Sequence, residues 1–197
     1  MRTLLVGDIH GCSKSLRALI AEAKPDRLIL LGDLFAKGPD PRGVWDLIVE
    51  HRAEAVLGNH DARLLDVLNI PGDSAHHRAA RALPEEALGW TANLPLFLYG
   101  PCWIGVHAGL HPELGVAGTT RAMAITMRRW PDDLDSTNPF WFQCWKGPER
   151  VFYGHDAVRG LQVHPRTVGL DSGAVYGNPL SGFLLEEERV IQVPGRG

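Results

Sequence analysis

Cysteine is scarce in this chain of 197 residues, and the few cysteines are far apart. There are three of them, Cys12, Cys102 and Cys144. An odd number without paired spacing argues against a disulfide framework, and without a Cys-X-X-Cys pair a zinc site built from thiolates is not expected. The sequence therefore does not fit the class of small disulfide-rich secreted proteins.

Long apolar runs and an excess of one charge are lacking as well. No stretch of about 18 apolar residues occurs, so no transmembrane helix is expected. The chain begins "MRTLLVGD", which enters a strand-like segment without a secretory signal, so we expect a cytoplasmic protein with no membrane partner. The net charge is only −3, which gives no basic surface for nucleic acid.

The first 70 residues alternate apolar runs with amphipathic segments. Strands are predicted over 2–7, 26–33 and 54–59, and helices over 13–23, 42–51 and 60–70. This alternation is typical of a parallel βαβ sheet in an α/β protein. The length suits one domain covering residues 1–197.

The second half is less regular. Residues 76–94 are predicted to form one long helix or a helical hairpin with Trp90 facing inward, and residues 119–130 a further helix. The aromatic segment 136–145 is predicted to be a loop or lid that packs on the core, with base stacking as the alternative. Two strands broken by Gly-Pro are expected over 96–109 and further short strands after residue 150, so the second half is expected to be more antiparallel than the first. His76 and His77 are expected to be exposed on their helix.

Five short motifs put a polar residue beside glycine at the end of an apolar run: "VGDIHG", "LGDLFAKGPD", "LGNHD", "GVHAG" and "YGHD". The carboxyl ends of parallel strands meet at one crevice, so these side chains can converge. The candidate ligands are Asp8, His10, Asp33, Asn59, His107 and His155. Oxygen and imidazole donors without thiolate suit Mn, Fe, Zn or Co, and six of them fit two metal ions sharing one carboxylate better than one catalytic zinc.

These motifs, in this order, resemble those of the calcineurin-like metallophosphoesterases. Within them the chain resembles the phosphoprotein-phosphatase branch, which includes bacterial serine/threonine phosphatases and symmetrical diadenosine tetraphosphate hydrolases. The resemblance implies a four-layer α/β/β/α sandwich of two mixed sheets with two divalent metal ions, manganese first among the candidates, at its edge. It also implies a metal-bridging hydroxide that attacks phosphorus in line.

The resemblance further implies a role for each matching residue. Asp8 and His10 would bind one metal, Asp33 would bridge, and Asn59, His107 and His155 would bind the other. His60 would protonate the leaving oxygen, as an imidazole near its normal pKa can, and Asp171 would support the site by hydrogen bonds.

The second motif departs from that of protein phosphatases. Ala36 stands where they have the Asp that orients the catalytic histidine, and Lys37 where they have a phosphate-binding Arg. Asp61 is the candidate replacement for that Asp. Arg128 is the candidate second cation for phosphate, with Arg129 as the alternative. The last motif carries Asp156, which is expected either to orient His155 or to cap a turn.

Three functions remain open at this point. The favoured one is a hydrolase similar to the diadenosine tetraphosphate enzymes, because of Ala36 and the "GNHD" motif. The second is a serine/threonine protein phosphatase or a phosphatase of small phosphoesters, because little chain lies between His107 and His155 for a nucleotide-capping subdomain. A non-catalytic metal-binding scaffold is the third. The expected partners are accordingly a phosphorylated small molecule, a dinucleoside polyphosphate or a phosphoprotein.

Overall fold

A computed structural model describes residues 1–196 of the protein. The strands are β1 Thr3–Val6, β2 Arg27–Leu30, β3 Glu54–Ala55, β4 Phe97–Gly100, β5 Trp103–Val106, β6 Arg150–Tyr153, β7 Gln162–Val163, β8 Thr167–Gly169, β9 Leu180–Leu184 and β10 Arg189–Val193. The helices are α1 Ser13–Ala23, α2 Pro41–His51, α3 Asn59–Asp66, α4 Ala75–Ala82, α5 Glu85–Ala92, α6 Gly115–Gly118, α7 Arg121–Thr126 and α8 Trp141–Cys144, with a 3₁₀ turn at Ala174–Tyr176.

The strands form two five-stranded mixed sheets. The first has the order β10-β9-β1-β2-β3, in which β1, β2 and β3 are parallel and β9 runs antiparallel to β1. The second has the order β4-β5-β6-β8-β7, with β5, β6 and β8 parallel and both edge strands antiparallel. Two mixed sheets were expected, and this expectation is confirmed.

The two sheets pack face to face between layers of helices. Successive side chains of a strand point to opposite faces, so Leu5 of β1 enters a core between the sheets, where it meets Phe152 and Phe183. Leu4 faces the other way, into a second core formed with α1 and α2. The outer face of the second sheet, including Val106, is covered by a third cluster around Trp141. The resulting four layers are the predicted α/β/β/α sandwich.

The second half is more antiparallel than the first, as expected, since the pairs β4–β5, β7–β8, β1–β9 and β9–β10 are antiparallel. Its central pairs β5–β6 and β6–β8 are parallel. The C-terminal hairpin β9–β10 joins the first sheet, with Leu184 opposite Leu4. Which strands pair across such distances is decided by tertiary packing, and the local pattern does not carry that information.

Several segments differ in detail from their predicted form. The hairpin alternative holds for residues 76–94, which form α4 and α5, and Trp90 packs on Trp45 with ring centroids 5.6 Å apart. Helix α7 ends at Thr126, four residues earlier than predicted. Trp141 is 1 % exposed, so this part of the aromatic segment belongs to the core and offers no face to a nucleotide base.

Within residues 1–196, no helix has the length and apolar character needed to cross a bilayer. The cytoplasmic location stays a prediction.

Candidate metal centre

The six parallel strands all end at one cleft, and each is followed by a polar residue. Five of these residues are predicted ligands and the sixth is the predicted supporting carboxylate: Asp8 after β1, Asp33 after β2, Asn59 after β3, His107 after β5, His155 after β6 and Asp171 after β8. The cleft is a cavity of about 260 Å³, and its lining includes five of the six predicted ligands together with His60, Lys37 and Arg128. The fold thus brings the motif residues together as the strand-end argument predicted.

The backbone at these strand ends is unusual. His10, Asp33 and His155 have φ values of +48°, +53° and +69°, a left-handed conformation that non-glycine residues seldom adopt. Such strain concentrates at functional sites, where the surrounding packing enforces it. Glycine is required at 154 for a steric reason, because a Cβ atom there would collide with the Asp8 carboxylate.

Asp33 lies at the centre of the cleft. Its Oδ2 is 3.5 Å from Nε2 of His10, and its Oδ1 is 3.5 Å from Nε2 of His107. It belongs to both groups of side chains whose ligand atoms lie within 4.8 Å of one another, the first with His10 and His60 and the second with Asp8 and His107. A carboxylate shared by two clusters is the geometry expected of a bridging ligand.

Ring nitrogens of two histidines face the same amide oxygen. His107 donates from Nδ1 to the Leu31 carbonyl at 2.7 Å, and His155 donates from Nε2 to the Thr126 carbonyl at 3.0 Å. The remaining nitrogen of each ring, Nε2 of His107 and Nδ1 of His155, lies 2.9 Å from Oδ1 of Asn59. In neutral imidazoles these nitrogens carry lone pairs, so three electron-pair donors converge. A cation would relieve this repulsion.

The ionisation of these groups agrees with that geometry. Burial lowers the pKa of His107 and brings that of His155 down to about 2, so both rings are neutral near pH 7. Burial, together with Asp171 and Asp33, holds the pKa of Asp8 well above its usual range, and burial raises that of Asp33 to about 7. The buried Nδ1 of His10 also lacks a hydrogen-bond partner among residues 1–196. These residues fit a site for divalent cations. A bound cation would favour the ionised form of the buried carboxylates and would accept the lone pairs of the neutral imidazoles.

Asp61 lies in a different place from the one its predicted role requires. Its carboxylate is fully buried and accepts hydrogen bonds from the backbone amides of Leu34, at 2.9 Å, and Gly58, at 3.2 Å. It therefore ties the loop after β2 to the start of α3 and does not bond to the ring of His60. Asp61 is therefore not the group that orients the ring of His60, because its carboxylate is taken up by two backbone amides.

The side chain that does meet His60 is His76, whose Nε2 lies 2.8 Å from Nδ1 of His60. The expectation that His76 is only an exposed helix residue is therefore wrong. Burial, Lys37 and His76 lower the pKa of His60 to about 3. Its ring is therefore neutral near pH 7, and the expectation of a pKa near the ordinary value is wrong for the free site. The sequence held a weak signal for His76, since it precedes the buried Ala79 and Leu83 at helical spacing.

Two cations border the cleft. Nζ of Lys37 lies 3.3 Å from Nε2 of His10 and 3.4 Å from the hydroxyl of Tyr176. Arg128 lines the same cavity, with Nη2 3.4 Å from the carbonyl of His155. Arg129 points elsewhere, over the ring of Phe140. Arg128 is thus the arginine that can reach a ligand in the cleft.

The last two predicted carboxylates support the cleft from its sides. Asp171 lies close enough to Asp8 to help raise the pKa of that carboxyl, and it accepts from the amide of Gly173 at 3.0 Å. Asp156 pairs with Arg159 at 3.1 Å and with Arg128 at 3.9 Å, and the ring of His155 bonds to other groups. Asp156 therefore steadies the arginines and does not orient His155.

Comparison with known proteins agrees with this architecture. Residues 1–179 match the family model described as Calcineurin-like phosphoesterase. The symmetrical bis(5'-nucleosyl)-tetraphosphatase of Edwardsiella ictaluri is 35 % identical over 271 aligned positions, covering 100 % of this chain and 97 % of the relative. The asymmetrical bis(5'-nucleosyl)-tetraphosphatase PrpE of a Geobacillus species is 28 % identical, covering 98 % and 94 %.

A solved structure is similar over most of its length. It is the crystal structure of a candidate diadenosine tetraphosphatase, 36 % identical, with a TM-score of 0.90 over 98 % of this chain and 93 % of that one. The alignment with the Edwardsiella enzyme is longer than the 197 residues of this chain, so that enzyme carries insertions that this chain lacks. The chain belongs to the calcineurin-like phosphoesterase family, whose members use a divalent dimetal centre, and it is a hydrolase of phosphoester or phosphoanhydride bonds.

Proposed function

We propose that this enzyme hydrolyses diadenosine tetraphosphate with two divalent ions held at the strand ends. Asp8, His10 and Asp33 would hold one ion, and Asp33, Asn59, His107 and His155 the other. The observation that carries the proposal is the convergence of two bare imidazole nitrogens on Oδ1 of Asn59, beside a carboxylate that both clusters share. Manganese is the proposed metal, because oxygen and imidazole donors without thiolate suit it.

The ions would supply Lewis acidity for water and for the phosphoryl group. The remaining work falls to the protein. Lys37 and Arg128 border the cavity and carry positive charge that can pair with a polyphosphate. The ammonium group of Lys37 cannot form the two parallel hydrogen bonds to phosphate that a guanidinium can. They would bind and orient the phosphate chain.

His60 is the proposed general acid. It lines the cavity, and its Nδ1 is engaged by His76, which leaves Nε2 as the ring nitrogen that can serve the leaving oxygen. An anionic phosphate beside the ring would raise its pKa from the low value of the free site, since a nearby negative charge favours the protonated form. The substrate would thereby help to charge the acid that acts on it.

The names of similar proteins support a dinucleoside polyphosphate as substrate. The Edwardsiella relative is named as a symmetrical tetraphosphatase, and the similar solved structure, of nearly the same length, as a candidate diadenosine tetraphosphatase. The buried methyl group of Ala36 also leaves His60 without the aspartate that protein phosphatases use. Symmetrical hydrolysis adds one water and yields two molecules of ADP.

A phosphatase of proteins or small phosphoesters is the second candidate. The chain lacks the insertions of the Edwardsiella enzyme, and fewer insertions can leave the cleft open to a phosphate on a protein surface. The third candidate, a metal-binding scaffold without activity, does not agree with membership of a phosphoesterase family.

A side-by-side assay separates these candidates. The manganese-loaded protein is given diadenosine tetraphosphate, a phosphothreonine peptide and p-nitrophenyl phosphate at matched concentrations. We expect kcat/KM for diadenosine tetraphosphate to exceed the other two by at least about tenfold, a difference of about 1.4 kcal/mol in transition-state binding. Higher kcat/KM for the peptide would overturn the substrate proposal, and no turnover of any substrate by fully loaded protein would favour the scaffold.

A further inference from the structure

Two imidazole rings meet edge to edge behind the cleft. Nδ1 of His60 and Nε2 of His76 are 2.8 Å apart, the ring planes differ by only 6°, and the ring centroids are 5.1 Å apart. Face-to-face rings cannot bring two atoms this close across the gap between them. The rings therefore lie side by side in nearly one plane, which is the ideal arrangement for a hydrogen bond between ring nitrogens.

His76 is delivered to this place by a well-anchored helix. It is the second residue of α4, whose N-cap Ser74 accepts a hydrogen bond from the amide of His77. The ring of His77 bonds back to Ser74 at 2.7 Å and to the carbonyl of Ile70 at 3.0 Å. One turn further on, Ala79 is buried in the core at 4 % exposure. The helix face that carries His76 therefore points inward. The position of His76 is fixed by the cap on one side of it and by buried Ala79 on the other.

The helix that supplies His76 also lies against the helix that supplies His60. Helices α3 and α4 pack on each other, and His60 is the second residue of α3. The backbone amide of His60 is held in turn by Oδ1 of Asp33 at 2.8 Å. Both partners of the imidazole pair are thus fixed by backbone contacts, and the hydrogen bond between them joins two rigid elements.

We propose that His76 is the positioning residue of the general acid His60. In this arrangement Nδ1–H of His60 donates to Nε2 of His76, so the ring can carry the acid proton on Nε2, the nitrogen available to the cleft. With the opposite polarity Nδ1 of His60 would accept from His76 and could not hold a proton of its own, so the charged acid could not form. His76 thereby orients the ring of His60, a role that the methyl group of Ala36 cannot fill, and it does so from a different part of the chain.

This inference rests on the proposed role of His60, so the experiment includes both residues. The variants are His60→Ala, His76→Ala, the double variant and His76→Gln, whose side-chain oxygen can still accept from Nδ1–H. The control is His77→Ala, which weakens the anchoring of the same helix without touching the site. Each is loaded with manganese, its metal content is measured, and kcat and KM are determined for phenyl phosphate and p-nitrophenyl phosphate.

The two esters differ in how much their leaving group needs a proton. Phenolate leaves poorly without one, whereas p-nitrophenolate leaves well, so loss of the acid slows the first ester more. We expect His76→Ala to lower kcat for phenyl phosphate by about 10- to 100-fold, with a loss at least fivefold smaller for p-nitrophenyl phosphate and little change in KM. His76→Gln should recover most of the loss, and His77→Ala should affect both esters equally.

The double variant tests whether His76 acts through His60. If it does, adding His76→Ala to His60→Ala costs less than a further twofold, because the partner is already gone. Equal losses on both esters for His76→Ala, together with a leaving-group-dependent loss for His60→Ala, would overturn the role of His76 alone. If His60→Ala itself shows no dependence on the leaving group, both the acid assigned to His60 and the inference that rests on it are wrong.

Discussion

The carboxylate of Asp33 accepts a hydrogen bond from the backbone amide of His60, with Oδ1 and N 2.8 Å apart. The same oxygen lies 3.5 Å from Nε2 of His107. The proposed bridging ligand therefore also positions the start of α3, which carries the proposed acid. Metal binding and placement of the proposed acid therefore depend on the same carboxylate.

Substitution of Asp33 should remove metal selectively. Asp33→Asn keeps the size of the side chain and one oxygen acceptor but loses the charge that two cations would share. Titration calorimetry with Mn²⁺ should find two ions per chain for the native protein and at most one for the variant. Asp46→Asn, a substitution on the exposed side of α2, is the control and should bind two ions. Two tightly bound ions in Asp33→Asn would contradict the bridging role.

Stabilisation by metal should grow with pH. The pKa of Asp33 is about 7 in the metal-free fold, against about 3.9 in an unfolded chain, so between these values the folded protein holds a proton that the unfolded chain has lost. That contribution to stability is present at low pH and is lost as pH rises towards 7. A cation must displace this proton at pH 5.5 but not at pH 8, because the buried carboxylate is by then ionised.

The measurement is the rise in Tm on adding Mn²⁺ at a fixed concentration. We expect a larger rise at pH 8 than at pH 5.5. The histidines do not reverse this trend, since those of the site are already neutral in the folded state through this range. An equal rise at both pH values would show that no proton is displaced and that the raised pKa is incorrect.

Asp61 should matter for stability more than for proton transfer. Asp61→Ala leaves the buried amides of Leu34 and Gly58 unpaired, at about 1–3 kcal/mol each, partly offset by removal of a carboxylate whose burial is itself unfavourable. We expect the free energy of unfolding to fall by about 2 kcal/mol in urea titrations. Asp66→Ala, at an exposed position of the same helix, should change it by less than about 0.5 kcal/mol.

The strand-end residues were predictable from sequence for a physical reason. A short apolar run followed by Gly-Asp or Gly-Asn fixes both the strand and the turn that ends it, and parallel strands collect such turns at one edge. Asp8, Asp33 and Asn59 needed no further information. His107 and His155 follow apolar runs in the same way, and the second sheet brings them to the same place as Asp33 and Asn59.

His76 was not predictable in the same way. Its segment reads as an alanine-rich helix with polar residues, and only the packing of α4 on α3 decides that one of two adjacent histidines faces His60. The segment "TMRRW" continues an amphipathic pattern and predicts a helix through Arg128, but α7 ends at Thr126 and Arg128 lines the cleft from the residues that follow. In both cases tertiary contacts outweighed the local pattern.

The two adjacent arginines provide a matched pair for substrate binding. Arg128 lines the cleft, whereas Arg129 lies over Phe140 and bonds to the carbonyl of Asn138. Arg128→Ala should lower kcat/KM for diadenosine tetraphosphate by about 10- to 100-fold, since a cation that contacts phosphate contributes about 1.5–3 kcal/mol. Arg129→Ala should reduce Tm without changing kcat/KM by more than about threefold. Equal effects on kcat/KM would mean that Arg128 does not contact the substrate.

Turnover of diadenosine tetraphosphate by the native protein and by Asp33→Asn, each with two equivalents of Mn²⁺, tests the central claim most directly. Chromatography of the products identifies the bond that is cleaved, and the variant reports any contaminating hydrolase. We predict that the native protein produces ADP alone and that the variant is at least about 100-fold slower. Equal rates for the two proteins, or no hydrolysis by the native protein, would contradict the assignment of this cleft as a dimetal phosphohydrolase site for dinucleoside polyphosphates.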